Sequence, residues 1–349
     1  MKILINNYAA EKGGALTVLE GLMEYIDENT NGHEWIFLLN TTTKKYNNIQ
    51  ILTMRKSRLR WIQRLLFDFI VGRRIVNKVN PDVYVSMQNT FTYGVKAKQF
   101  VYIHQAIPFY KDVKYSFFKK DERKLYLIQN VMGKIIFKSV FNAESIIVQS
   151  NTMKEKIVSL NLKKSELINV VNPNCIIAKF EDTIKPINRN CFIVVTSNHK
   201  YKNNNIIYEA VKKLNIEKIS DFTIYMTIKK DENINNDNIV FLGNVSRNVL
   251  FDYYKNCIVI MTSLVESYPM ILKEACSIGS HIIAVDRDYT REILAEYDNH
   301  VLYDKDNVQS LVDSIKNAIN ANIFNVNKVF DNQITTNNWG QFCKVITSE

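Results

Sequence analysis

In the stretch VESYPMILKEACSIG, two carboxylates, Glu266 and Glu274, stand on either side of Pro269 with seven residues between them. Pro269 suits the first turn of a helix that runs through MILKEACSI and stops at Gly279. Glu274 then lies about five residues into the helix, roughly 8 Å along its axis. Its side chain leans back toward the N-terminus, and Glu266 stands just before that end. Carboxylates on both sides of a positive helix end suit a ligand that is both phosphate and sugar: phosphate oxygens on the free amides, sugar hydroxyls donating to each carboxylate. Taken singly, Glu266 reads equally well as a dipole partner and Glu274 as a surface residue. That reading leaves the otherwise apolar character of the helix unexplained.

Three other loops hold groups of the same kind. NNYAAEKGGALTVL follows an apolar run and brings Gly13 and Gly14 to a helix start, where backbone can approach an anionic ligand closely; a glycine pair also serves a plain tight turn. The pattern is not GxGxxG, and no acidic residue follows at dinucleotide spacing, which argues against a nicotinamide cofactor. His104 ends the run QFVYIH, where an imidazole could bond a sugar hydroxyl or a phosphate, or simply be a structural histidine. TSNHKYKNNN sets His199, Lys200 and Lys202 at another helix start, so that an ammonium and free amides could hold a diphosphate together; loop lysines are also commonly just solvated. Asp286-Arg287-Asp288 fits the Asp-x-Asp string of metal-dependent sugar transfer, but is too short to be specific and reads as an ordinary loop. No metal site is expected.

These loops need elements to carry them. Short apolar runs alternate with amphipathic stretches: KILIN, EWIFLL, NIQIL, DVYVSM, QFVYIH, SIIVQS and LINVV, then CFIVVTS, FTIYMTI, NIVFLG, CIVIMT and HIIAV. Such alternation implies parallel sheets wrapped by helices, with enough strands for two. At 349 residues, two domains are the expectation. The weakest pattern, at 172–190, carries two of the five prolines and reads as a linker. If both halves are doubly wound, ligands belong at the carboxyl ends of the strands.

Charge is distributed unevenly. Residues 1–180 hold 27 Lys and Arg against 14 Asp and Glu, and the remainder 18 against 21, so the net +10 belongs to the first half. RKSRLRWIQRLLFDFIVGRR (55–74) and FYKDVKYSFFKKDERKLY (109–126) mix basic with aromatic residues at helical spacing. Either they lie on an anionic membrane surface, with Arg58, Arg60, Trp61 and Arg64 in the interface, or they are domain helices with arginines in water. No nucleic-acid-binding motif accompanies the basic half, so nucleic acid is not an expected partner. The five cysteines are scattered, without CxxC or ligand-like histidine spacing, and read as reduced thiols. The N-terminus lacks signal-peptide character and no run reaches the ~18 apolar residues of a spanning helix. A cytoplasmic protein able to sit peripherally on the inner face of the membrane is expected.

Together the segments GGALTVLEGL, IHQ (103–105), VVNPNC, YKNNNIIYEA, VFLGNVSRNVLFDYYKNC and ESYPMILKEACSIGSHIIAVD resemble the retaining glycosyltransferases of family 4 (group 1), with their Glu-x7-Glu motif, in the form found in bacterial surface-polysaccharide enzymes. The resemblance implies an α/β fold of GT-B architecture: two Rossmann-like doubly wound domains facing a cleft. It implies an acceptor domain over 1–172, a linker over 173–190, a nucleotide-sugar domain over 191–325 and a C-terminal helix within 326–349 returning to the first domain. It also implies retaining, metal-independent transfer of a hexose from a nucleotide-diphosphate sugar, the co-substrate, with no cofactor. The acceptor would be a lipid-linked glycan of the O-antigen or capsule type. Glu266 and His104 would act at the donor sugar. Gly13, Gly14, His199, Lys200, Lys202, Ser267, Tyr268, Pro269 and Glu274 would bind the donor, with Glu274 at the ribose and Lys202 at the diphosphate. The family's arginine before the lysine is absent from TSNHKYK, so either His199 or Lys200 would substitute or phosphate binding would be weaker. A catalytically inactive binding protein or partner subunit of the same fold is the alternative.

Overall fold

The structure is a computed structural model; it describes residues 1–8, 14–40, 44–54, 60–174, 188, 190–230, 234–320 and 338–347. The chain forms two compact units, Met1–Asn174 with Asn337–Glu349, and Cys175–Thr336. Both are Rossmann-like.

In the first unit, strands β1 (Lys2–Asn6), β2 (Glu34–Leu39), β3 (Ile49–Thr53), β4 (Val83–Ser86), β5 (Lys98–Ile103), β6 (Ser145–Val148) and β7 (Ile168–Val170) lie in the order β3-β2-β1-β4-β5-β6-β7. Every pairing is parallel. The order reverses between β1 and β4, the switch point beside which such sheets take ligands. Helices α1 (Gly14–Glu28), α2 (Arg60–Leu66), α3 (Gly72–Val79), α4 (Arg123–Leu127), α5 (Gly133–Asn142) and α6 (Asn151–Ser159) accompany them.

The second unit has β8 (Cys191–Val194), β9 (Thr223–Met226), β10 (Ile239–Phe241), β11 (Ile258–Met261), β12 (Ile282–Val285) and β13 (His300–Tyr303) in the order β10-β9-β8-β11-β12-β13. Here the pairings are again all parallel, and α7 (Asn205–Ile216), α8 (Arg247–Asn256), α9 (Met270–Ile278), α10 (Asp288–Leu294) and α11 (Val308–Asn320) connect or follow them. IVIM of β11 and IIAV of β12 are buried throughout, as strands covered on both faces require. The last helix, α12 (Asn338–Thr347), belongs to the first unit: it buries Trp339 and Phe342, sets Phe342 6.3 Å from Tyr102, and Gln341 donates to the Val170 carbonyl. Most of the proline-bearing linker lies outside the described residues.

Three features depart from the sequence reading. The edge strand β13 was hidden because HVLY alternates weakly and is flanked by charge. β11 stops at Met261, one residue short of the run CIVIMT, because the chain turns to bind the 200–202 loop: Thr262 donates its hydroxyl to the Lys202 carbonyl and the Leu264 amide bonds the Tyr201 carbonyl. The cysteines are not all reduced thiols. Cys191 and Cys257, at the starts of the adjacent strands β8 and β11, form a disulfide with Cα atoms 4.7 Å apart. Their 66-residue separation hid a pairing that only sheet order creates. Cys276 and Cys343 are buried and outside any disulfide.

In the first unit, α2 and α3 are joined through a π-helical turn at Phe67–Val71, and α4 and α5 through another at Ile128–Met132. Glycine follows each. A Cβ on Gly72 would lie 2.6 Å from both the Phe67 carbonyl oxygen and Thr92 Cγ2. The first π turn thus depends on a residue without a side chain. Gly72→Ala is expected to cost about 2 kcal/mol of stability, read as a lowered urea midpoint with an unchanged slope.

Candidate active site

The carboxyl end of the second sheet gathers most of the charged groups that the sequence singled out there. Lys202 ends a short 3-10 turn at Lys200–Lys202, and its Nζ meets Glu266 Oε1 at 2.6 Å, both side chains being largely buried. Burial pulls the Lys202 ammonium down, but Glu266 outweighs it, and the net shift is upward. Lys202 is therefore a fixed cation at this strand edge. His199 stacks on Tyr201 with rings 5.5 Å apart, and both His199 and Lys200 are exposed.

Glu266 leads through Ser267, Tyr268 and Pro269 into α9. Pro269 occupies the N-cap, with no side-chain cap bond and no acid in the first turn, and Gly279 ends the helix in the left-handed conformation at φ 79°. The helix mouth therefore presents its dipole without a covalently attached counter-charge in the first turn. Glu274 is only 5% exposed, which excludes the surface-residue reading. Burial raises its carboxyl pKa, and the opposing pull comes from Arg247, which forms an ion pair with it from the first residue of α8. Sequence reading missed Arg247; its position directly after Ser246, at the start of a helix following a strand, was the available signal. Asp286 is engaged by Arg291 through two 2.6 Å bonds. Among the described residues no group of three or more His, Cys, Asp or Glu has a metal-holding arrangement.

In the first unit, Gly14 begins α1, while Gly13 lies outside the described residues. His104 follows β5. Asn89, at φ 62° after β4, accepts the amides of His104 and Gln105 on its Oδ1 at 2.6 and 2.8 Å. With that oxygen spoken for, the Asn89 amide nitrogen, 3.1 Å from His104 Nε2, is the donor. Nε2 thus accepts, and the proton of the neutral ring sits on Nδ1. Burial, reinforced by the Arg64 charge, lowers the His104 pKa to about 4.

Arg64 is not the interfacial arginine that the basic segment suggested. Its Nε and Nη2 are shielded from water, and it acts electrostatically on Tyr8, Asp68 and His104. One turn on, Asp68 in the π turn is buried and accepts from Thr90 at 2.6 Å and Thr92 at 3.3 Å. Arg58 lies outside the described residues, and Arg60 and Trp61 are at the start of α2.

Burial raises the Asp68 pKa to about 6, against the pull of its threonine partners and Arg64. A carboxyl raised this way contributes stability at low pH that is lost as pH rises through 6. A lowered histidine contributes stability at neutral pH that is lost as pH falls toward 4. The two oppose each other over one window. His104→Gln should therefore unmask Asp68: relative to wild type, the variant should gain about 2 kcal/mol on going from pH 6.5 to 4.5, measured by urea unfolding at each pH.

Residues 177–335 match the family model described as glycosyl transferases group 1. Comparison with curated proteins returns no significant match. Among solved structures the chain is similar to WaaG, a glycosyltransferase involved in lipopolysaccharide biosynthesis, at 12% identity over 99% of this chain and 100% of that one, with a TM-score of 0.71. It is also similar to the apo lipopolysaccharide outer core galactosyltransferase WaaB (16% identity, 100% and 99%, TM-score 0.65) and to Anabaena Alr3699/HepE in complex with UDP and glucose (12%, 100% and 100%, TM-score 0.65). At these identities the likeness to the solved structures is one of fold. Residues 177–335 are thus similar by sequence to the glycosyl transferases group 1 model, and the chain as a whole has the GT-B fold.

Proposed function

We propose that this protein is a retaining, metal-independent hexosyltransferase that moves a sugar from a nucleotide-diphosphate donor to a lipid-linked glycan in bacterial O-antigen or capsule-type polysaccharide synthesis. The observation that carries the reading is the ion pairing on both sides of the α9 mouth, Lys202 with Glu266 before it and Arg247 with Glu274 within it, inside the residues that match the family. Lys202 and the first amides of α9 supply positive charge for a diphosphate. Glu266 accepts from hydroxyls of the donor sugar, and Glu274, held by Arg247, accepts from the ribose. In transfer with retention the bond from the sugar carbon to the phosphate oxygen breaks as the acceptor oxygen bonds to the same face. The acceptor's proton passes to the departing phosphate, and the cation-like transition state is stabilised by position and charge. The neutral His104 offers Nδ1–H to a sugar oxygen. HepE with bound UDP and glucose supports a nucleotide sugar as the donor class.

For membrane contact, the support comes from the first unit's surface. Phe118 is 91% and Phe141 71% exposed, with Val131 and Leu127 also outward, among the exposed Lys119, Lys120, Lys124, Lys134 and Lys138. Apolar side chains within a lysine field fit an anionic bilayer interface. Among the described residues no helix is long and apolar enough to cross a membrane.

Two experiments test these readings. Glu266→Gln should lower kcat by about 100-fold or more with nucleoside diphosphate affinity nearly unchanged, whereas Glu274→Ala should weaken UDP, GDP or dTDP binding by about 10-fold or more; equal loss of both properties in both variants contradicts this division. NMR of the product's anomeric configuration decides retention. The triple variant Phe118→Ser, Lys119→Glu, Lys120→Glu should lose most of its co-sedimentation with phosphatidylglycerol vesicles, and unchanged sedimentation removes the membrane reading.

A further inference from the structure

Arg64 sits above the carboxyl ends of the strands at the first unit's switch point, near Tyr8 after β1, near His104 after β5, and one turn before Asp68, which is bound to residues that follow β4. Its Nε and Nη2 are shielded from water and have no hydrogen-bond partner among the described residues. The neighbouring Asp68 carboxylate accepts from the hydroxyls of Thr90 and Thr92 and makes no hydrogen bond to either nitrogen. His104 Nε2 is occupied by Asn89.

Nε and Nη2 form one edge of the guanidinium, two parallel N–H groups spaced to meet two oxygens of a carboxylate or phosphate. The same chain shows this edge in use, where Arg291 Nε and Nη2 each bond one oxygen of Asp286 at 2.6 Å. Two guanidinium N–H groups shielded from water and left without an acceptor are costly to a fold, and such an edge kept at the carboxyl ends of the strands is explained by a partner that arrives from outside. We propose that the Nε–Nη2 edge of Arg64 is a receptor for an anionic group, phosphate or carboxylate, carried by a substrate of this enzyme. Arg64 as a whole keeps partial exposure, so the path from solvent is short, and Thr90, Thr92 and Asn89 hold the surrounding polar groups so that they do not fill the site. Two sources have this chemistry: the diphosphate of the donor, and an anionic group on the acceptor. The assignment of those two roles rests on the proposed sugar transfer; the anion site itself does not.

The test uses the full chain and inorganic phosphate as probe, followed by thermal unfolding. Phosphate should raise the melting temperature of wild type by about 3 °C at saturating concentration, and most of this response should be lost in Arg64→Met, the α9 mouth supplying any remainder. Arg64→Met without phosphate should melt at or above wild type, since it removes an unpaired buried charge. Arg64→Lys, which keeps charge but not the paired N–H edge, should keep less than half of the response, and stands in if the methionine variant does not fold. Equal phosphate responses in all three proteins, or no response in wild type, overturn the proposal. UDP, GDP and dTDP titrations separate the sources. A roughly tenfold loss of nucleotide affinity in Arg64→Met assigns the anion to the donor, and unchanged affinity with loss of the phosphate response assigns it to the acceptor. Because these readouts need no turnover, they stand if sugar transfer itself is disproved.

Discussion

Two sheets made wholly of parallel strands constrain everything else in this protein. Covered on both faces, such sheets leave no room for charge within the strands, and β11 and β12 show this in four-residue runs without a single exposed side chain. Polar chemistry is pushed to the strand ends, where helix starts add free amides and dipole charge. Lys202, Glu266 and Arg247 lie in loops or first turns that this constraint creates, and Glu274 lies one turn into α9. Glu274 is the extreme case: a carboxylate at 5% exposure is tolerable only against a cation, and Arg247 provides it from the start of the preceding helix. The pair therefore fixes α8 and α9 against each other as well as holding a polar group in place.

Among the described residues the alternating apolar runs marked twelve of the thirteen strands, because a buried parallel strand is written in consecutive apolar residues that survive any tertiary context. α9 was also legible to the residue: Pro269 and Gly279 bound it through fixed backbone preferences, which are local. What stayed hidden was relational. Nothing in the run HVLY says that it will pair with β12, and nothing in 66 residues of separation says that Cys191 will meet Cys257. Arg247 and Glu274 are 27 positions apart and become partners only when their helices pack. Arg64 misled in the opposite way. In the sequence it is one arginine of a basic, aromatic segment, and only the π turn after it, made possible by Gly72, shows that it lies one turn from a buried aspartate rather than in solvent.

The two units treat buried charge differently, and the contrast bears on where each is rigid. In the second unit the two ion pairs that flank the α9 mouth, Lys202 with Glu266 and Arg247 with Glu274, offset the cost of desolvation by Coulomb attraction and hold the mouth in place. In the first unit, Asp68 is satisfied by hydroxyls, His104 stays neutral against an amide, and the Arg64 edge is left over. Hydroxyl donors stabilise a carboxylate less than a guanidinium does, which is why burial wins at Asp68 and its pKa rises toward 6. Under the proposed sugar transfer the two conditions divide the work: a mouth whose carboxylates are held by cations and whose amides stay open for the first charged partner, and an unpaired guanidinium edge for an anion that arrives from outside.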